Sequence, residues 1–294
     1  MDPTGDTVQA AVDASRAEFG AARYDRLAYE LPARLTLAQQ LGGAGDPERS
    51  AVAVADLYNI ATRLCIKLGG EDGLAVLTAD RALTAALDGA GPLTVAESYR
   101  MVSSAWRRAG HLQRATGIAL HAAQQLTIAD PREQAAHLSV QGNLYATAAY
   151  TAAKAGDRHT AHDLIGEAHA AAVRLGRDTA LHGSVFGPSQ VLLHQISISQ
   201  LLGDAGQAIA YARGVDVRSL PTSERRARYW IDVARAYDQW NKPVHCYRAL
   251  LAAEEAAPQE VRRGSVRVLV ETLLRHDRSL AGVRDFAVRA GVFA

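Results

Sequence analysis

An all-α fold built as an array of helical hairpins is what this sequence predicts, on three observations. Ala, Leu, Arg, Glu and Gln dominate while aromatics are only 6% of residues. Short breaks marked by Gly or Pro recur at helix-length intervals. Alternating β-branched runs are nearly absent. The pattern predicts helices over 6–19, 22–41, 48–68, 72–88, 93–109, 112–128, 133–155, 158–175, 188–202, 205–213, 222–240, 243–256, 259–276 and 280–290. They pair in order as about seven antiparallel hairpins. A repeat explains this order better than a bundle does.

The clearest repeat spans 227–260. Trp230, Val233, Ala234 and Tyr237 share one face of its leading helix. Cys246, Leu250 and Ala253 follow on the trailing helix, and Pro258 closes the unit. These residues match the key positions of the thirty-four-residue tetratricopeptide (TPR) signature. Large side chains on the leading helix fill the holes left by small ones on the trailing helix.

The same register recurs upstream. Tyr58, Ala61, Thr62 and Cys65 precede Gly69 and, after one inserted residue, Ala75, Ala79 and Ala82. Tyr99, Val102, Ser103 and Trp106 precede Gly110, then Ala115, Ala119 and Ala122. Tyr145, Ala148, Ala149 and Ala152 precede Gly156, then Ala161, Ile165 and Ala168. A weaker copy runs Leu192, Ile196, Ser199, Gly203, Ala208, Ala212. The glycines fall where the helix must stop in a left-handed turn. The chain therefore reads as one right-handed α-solenoid over 1–294, with 1–41 as N-terminal cap hairpin, 48–258 as core repeats and 259–294 as C-terminal cap helices.

Several segments carry a more specific resemblance. They are Phe19-Gly20-Ala21-Ala22-Arg23-Tyr24-Asp25-Arg26-Leu27, Asp56-Leu57-Tyr58 through Lys67-Leu68-Gly69, Ala79-Asp80-Arg81-Ala82 and Ala155-Gly156-Asp157-Arg158. Further on come Phe186-Gly187-Pro188-Ser189-Gln190-Val191 with His194, Glu224-Arg225-Arg226-Ala227-Arg228, and Ala257-Pro258-Gln259-Glu260-Val261-Arg262-Arg263. In this order they resemble the C-terminal TPR-like sensor region of actinobacterial Cro/CI-type (XRE family) transcriptional regulators. The resemblance implies sensing of a small molecule or peptide, and homodimerisation. The family's helix-turn-helix domain precedes this region, and here only a few residues precede the first predicted helix. Direct DNA binding is therefore not carried over.

Composition bounds the remaining functions. There are 32 basic and 31 acidic residues, a net charge of +1, which lacks the basic excess of a nucleic-acid coat or membrane-surface protein. The only lysines are Lys67, Lys154 and Lys242. Cys65 and Cys246 are too few for a disulfide framework or a four-ligand zinc site. No apolar run is long enough to span a bilayer, and the acidic N-terminus lacks a signal peptide's apolar core, so a cytoplasmic protein is expected.

The leading helices of such an array face its hollow, so their polar positions predict a ligand groove. The candidates are Asn59, Arg63, Arg100, Ser104, Arg107, Asn143, Tyr150, Gln190, His194, Arg228 and Arg235. Amides pair with both donors and acceptors of a peptide backbone, and arginine forks hold carboxylate or phosphate. The groove is expected to take an anionic small molecule or a peptide. The opposing reading makes these side chains merely solvated helix faces. The segment 181–188 breaks the rhythm, and Phe186 is read either as part of a lid over the groove or as a plug in the core.

His159, His162 and His169 lie roughly on one face of 158–175, yet no second element supplies further ligands, so solvent exposure is favoured over a metal. The sequence contains no G-x-S-x-G, no H-E-x-x-H, no phosphate loop and no G-x-G-x-x-G after a strand. No enzyme activity and no cofactor are expected. A stand-alone TPR adaptor docking another protein is the alternative to a sensor, and a biosynthetic enzyme on this scaffold is the weakest reading.

Overall fold

Alanine stripes decide how this chain packs. In the computed structural model, which describes residues 3–69, 72–127 and 131–293, the elements follow in the order α1 (Gly5–Gly20), α2 (Tyr24–Gly43), α3 (Pro47–Leu68), α4 (Asp72–Leu87), α5 (Pro92–Arg108), α6 (Leu112–Gln125), α7 (Gln134–Lys154) and α8 (Arg158–Leu175). Two short strands follow, β1 (Thr179–Leu181) and β2 (Ser184–Phe186). Then come α9 (Pro188–Leu201), α10 (Ala205–Ala212), α11 (Ser223–Gln239), α12 (Pro243–Ala256), α13 (Pro258–Val261), α14 (Gly264–Leu274) and α15 (Val283–Arg289). Among the described residues the chain is all-α apart from this two-stranded hairpin.

Contacts group the residues into two compact units, where the sequence reads as one array. The first comprises Met1–Phe19 and Tyr24–Val191, the second Gly20–Arg23 and Leu192–Ala294. In the first unit α3 packs on α4, α5 on α6 and α7 on α8, while α3 also touches α5 and α5 touches α7. That is the contact pattern of hairpins stacked on their leading helices. The trailing helices present small side chains at i, i+4 and i+7, and these are buried: Ala75, Ala79 and Ala82 on α4, Ala115, Ala119 and Ala122 on α6, Ala161, Ile165 and Ala168 on α8. Small residues at these contacts let the backbones approach closely. Ser103 Oγ on α5 donates to the Ala115 carbonyl on α6 at 2.7 Å, directly across one hairpin. In the second unit, α11 packs on α12 around Val233, Ala234, Cys246, Leu250 and Ala253, with Trp230 and Tyr237 partly buried against them.

The turns inside the hairpins share one geometry. Gly110 has φ 87°, and the His111 amide donates to the Trp106 carbonyl at 2.9 Å, which caps the orphan carbonyls of the α5 end. The turns at Gly156 and Gly203 repeat it, and in the 227–260 repeat Asn241 takes the position with φ 55°, closed by Lys242 N to Tyr237 O at 2.8 Å. The inserted residue read after Gly69 falls at 70–71, outside the described residues, as do residue 128 of the predicted helix 112–128 and the first two residues of the acidic N-terminus.

Three expectations change. The helix predicted over 259–276 is broken, because Arg263 adopts extended backbone as the cap of α14 and turns its guanidinium onto Glu260 at 2.9 Å. The last predicted helix starts later, at Val283, after Gly282 in the left-handed region. Residues 179–186, which carry no strand signal of useful length, form an antiparallel hairpin with Thr179 opposite Phe186, Ala180 opposite Val185 and Leu181 opposite Ser184. His182 and Gly183 make its two-residue turn with φ 45° and 71°, the left-handed pair that suits a right-twisted hairpin.

Candidate functional site

The site lies in the first unit, where the β1–β2 hairpin lies against the leading helices. Both strands pack on α7. The anchor is Phe186, fully buried, whose ring stands where a side chain on Gly142 would be: a Cβ built there would come within 2.1 Å of the ring tip. Only glycine at 142 leaves this pocket open. One residue earlier, Asn143 Nδ2 on α7 donates to the Val185 carbonyl at 3.4 Å. The pairing of Ala180 with Val185, one step out from the closing pair of a two-residue turn, is of the kind whose main-chain groups point away from the partner strand, so this carbonyl is free to be read by a helix.

The tip of the hairpin reaches α3. Arg63 Nη1 donates to the Gly183 carbonyl at 2.9 Å, and its Nη2 donates to Glu97 Oε1 on α5 at 2.6 Å. Arg100 holds the same carboxylate through two nitrogens at 2.8 and 2.5 Å. Beside the turn, Arg16 on α1 binds Asp56 on α3 at 2.7 Å, both close to Gly183. Asn59, one helical turn before Arg63, donates to Ser98 Oγ at 3.1 Å, while its Oδ1 is buried without a hydrogen-bond partner in the protein.

Three guanidinium groups meet two carboxylates in this cluster, so one net positive charge remains while most of the donors are engaged. Burial by itself would raise the pKa of Glu97, but the charges and hydrogen bonds of Arg100 and Arg63 more than reverse that and hold it below the ordinary carboxylate value. Burial lowers the pKa of Arg63, opposed by Glu97. Asp56 moves the other way: burial raises its pKa, Arg16 only partly compensates, and the neighbouring Glu97 adds to the rise. Glu97 accepts three N–H donors and is held ionised, which makes it a poor proton acceptor. The cluster can orient and hydrogen-bond a chain.

The structure brings Asn59, Arg63, Arg100 and Asn143 together around the hairpin, but the expectation that such positions are solvent-facing fails. Asn59 is 3% exposed, Ser104 6%, Asn143 4% and Gln190 1%. Arg107 is drawn to α7, donating to Thr151 at 3.2 Å with its guanidinium 4.9 Å from the Tyr150 ring. Gln190, in the first turn of α9, keeps both amide atoms buried without a hydrogen-bond partner in the protein. In the second unit, Arg228 and Arg235 both turn to the buried Asp232, at 3.7 and 2.9 Å, and Ser197 donates to the same carboxylate at 2.5 Å. His194 is half-buried on α9 of that unit. The physical reason is common to both units: a buried carboxylate on a leading helix collects the arginines that the sequence pattern offered to a ligand. Glu97 and Asp232 are the residues that pattern reading missed, although Glu97–Arg100, Arg228–Asp232 and Asp232–Arg235 have the i,i+3 or i,i+4 spacing of helical ion pairs.

Elsewhere, Phe186 takes the core-plug reading in its own side chain while the hairpin that carries it occupies the predicted groove. His159 pairs with Asp163 at 3.3 Å on an exposed face. Among the described residues no group of three or more His, Cys, Asp or Glu is placed to hold a metal ion. Cys246 is buried and Cys65 half-buried, neither in a disulfide. Trp240 is exposed beside its turn. No helix among the described residues is long and apolar enough to cross a membrane.

An all-α chain of successive helical hairpins is thus the class that the fold defines. Its architecture is similar to that in the crystal structure of BtubC (BKLC) from P. vanneervenii, with a TM-score of 0.50 over 79% of this chain and 90% of that one, at 14% identity. At that identity the likeness speaks to fold alone. No family model matches the chain, and no curated protein matches it.

Proposed function

We propose that the chain is a non-catalytic, TPR-like binding module that recognises a peptide on the leading helices of its first unit, in the manner of a sensor domain. The observation that carries this reading is that Arg63 and Asn143 already hold two main-chain carbonyls, those of Gly183 and Val185. A surface that grips the main chain of a turn and of the strand that leaves it is a peptide-binding surface. Of the two ligand classes that the sequence suggests, the peptide is favoured over the anion. Arg63 and Arg100 share Glu97 and the second nitrogen of Arg63 is spent on a main-chain carbonyl, so the pair keeps one net positive charge but few free donors with which to fork a carboxylate or phosphate. Kinship with the XRE-type sensor region, and with it a cytoplasmic regulatory role, rests on the ordered segments of the sequence.

The test is selection of a random heptapeptide library on the full chain carrying Phe186→Ala, which vacates the ring pocket, followed by calorimetry of enriched peptides on that background. Enriched peptides should lose at least tenfold in affinity on Asn143→Ala, with the melting transition intact, and inorganic phosphate at millimolar concentration should not displace them. Failure to enrich any peptide, or affinity that ignores Asn143, would remove the proposal; retention of an anionic metabolite in its place would restore the small-molecule reading.

A further inference from the structure

We infer that the occupant of this surface is a segment that leaves a left-handed turn and carries an aromatic side chain three residues after the carbonyl held by Arg63, with the chain's own residues 183–186 as its template. This rests on the peptide reading above and names the class of peptide. Three contacts set the register. The carbonyl of residue 183 lies on Arg63, the carbonyl of residue 185 lies on Asn143, and the side chain of residue 186 fills the pocket floored by Gly142. Gly183 sits in the left-handed turn and 184–186 run extended, so the held main chain leaves a turn at the Arg63 contact and continues as a strand to the ring. A flat ring fits over bare backbone at 142, where any Cβ would meet it. Selectivity therefore lies in the ring, and backbone recognition supplies sequence-independent affinity.

The resident hairpin is built to compete rather than to be permanent. Its strands are three residues each, and a two-stranded hairpin of that length has little stability of its own. What holds it are the groove contacts and the link from Asp178 Oδ1 to the Ser189 amide at its base. Because it is tethered at both ends, it acts at an effective concentration in the millimolar range, which an incoming peptide has to overcome. The geometry thus makes the first unit a self-occupied receptor: wild-type chain binds the matching peptide weakly, and chain with an unseated hairpin binds it well.

A fluorescent peptide with the sequence of residues 181–187 tests this on the full chain. Phe186→Ala should bind it at least tenfold more tightly than wild type, the same peptide with its phenylalanine replaced by alanine should not bind, and adding Gly142→Leu to Phe186→Ala should abolish binding. A second measurement guards against a misfolded variant: amide exchange in wild type should accelerate at 179–186 on millimolar peptide and stay unchanged with the alanine peptide. Library peptides that bind through Asn143 without an aromatic in this register would overturn the inference and leave the peptide reading standing. Silence in the exchange experiment, with no tighter binding by Phe186→Ala, also overturns it, and if the library selection fails too then the broader reading goes with it.

Discussion

Replacing Glu97 by glutamine isolates the charge that organises the site. The wild-type carboxylate is 2% exposed and accepts from Arg63 at 2.6 Å and from Arg100 at 2.8 and 2.5 Å. Hydrogen bonds to charged groups contribute about 1.5–3 kcal/mol each, and removing one partner of a buried ion pair costs about 3–5 kcal/mol because the stranded charge remains. Glutamine keeps one acceptor oxygen but turns an amide donor toward a guanidinium. Arg63 and Arg100 are also partly solvated, at 21% and 14% side-chain exposure, which softens the loss. The expected destabilisation is about 2–4 kcal/mol, read as a lower urea midpoint with unchanged slope. The pH dependence gives an independent check. A carboxylate whose folded pKa lies below its ordinary value of 4.5 stabilises the fold above that value and loses the contribution as pH falls through the folded pKa. The gap between wild type and Glu97→Gln should therefore be flat from about pH 8 to about pH 5 and should shrink in more acidic solution. A gap under about 1 kcal/mol, or one that ignores acid, would mean that the arginines are held by solvent and packing rather than by this carboxylate.

Other positions test other parts of the structure. Gly142→Ala places a methyl 2.1 Å from the Phe186 ring, so it should cost about 1–3 kcal/mol by overpacking and open residues 179–187 to limited proteolysis; a protease-resistant Gly142→Ala would show that the ring is not seated there. Gly110→Ala changes nothing but backbone freedom, since no atom lies within 4 Å of the new Cβ, and at φ 87° it should cost about 1–2 kcal/mol in thermal unfolding. Asn241→Gly at the equivalent turn should be neutral or stabilising. The Cys246 thiol is pushed up to about 12 by burial and, secondarily, by Asp238, so at about pH 8 a disulfide reagent should label the half-buried Cys65 first and reach Cys246 only on unfolding; equal labelling rates would contradict its burial.

The hairpin repeat was legible because its determinants are local and periodic. Trp230, Val233, Ala234 and Tyr237 recur at helical spacing within one element, and Cys246, Leu250 and Ala253 do so on the next, so a single period predicts two buried faces. The break at Arg263 was not legible, because it turns on a buried Glu260 whose burial only the fold creates. Strands of three residues show no alternation, and the one available signal for β1–β2 was the glycine at the second position of the His182-Gly183 turn. Among site residues, pattern reading found the polar positions of the leading helices and mistook their environment. Arg63 and Glu97 are separated by 34 residues, so nothing local connects them. Where the partner was local, as in Arg228, Asp232 and Arg235, the spacing was available and pointed to pairing within the helix.

That engagement of the arginine donors decides what kind of recognition this surface can perform. Glu18 with Arg34, Glu97 with Arg63 and Arg100, Asp232 with Arg235, and Glu260 with Arg263 are each a carboxylate at most 5% exposed held by arginine. Five arginines are thus spent on buried acids, two of them across helices and three at i,i+3 spacing. What remains to read a ligand are neutral amides: Asn143, already on a carbonyl, and the Oδ1 of Asn59, buried without a protein partner. An unmet buried acceptor costs about 1–3 kcal/mol, which an N–H supplied by a bound main chain would recover. Recognition by amides and a ring pocket is nearly blind to ionic strength, whereas capture of an anion by free guanidinium groups weakens as salt shortens the screening length from about 10 Å at 0.1 M toward about 3 Å at 1 M. Peptide affinity for Phe186→Ala chain should accordingly change less than about threefold across that range of salt, and a steep decline would return the arginines to the role that the sequence alone suggested.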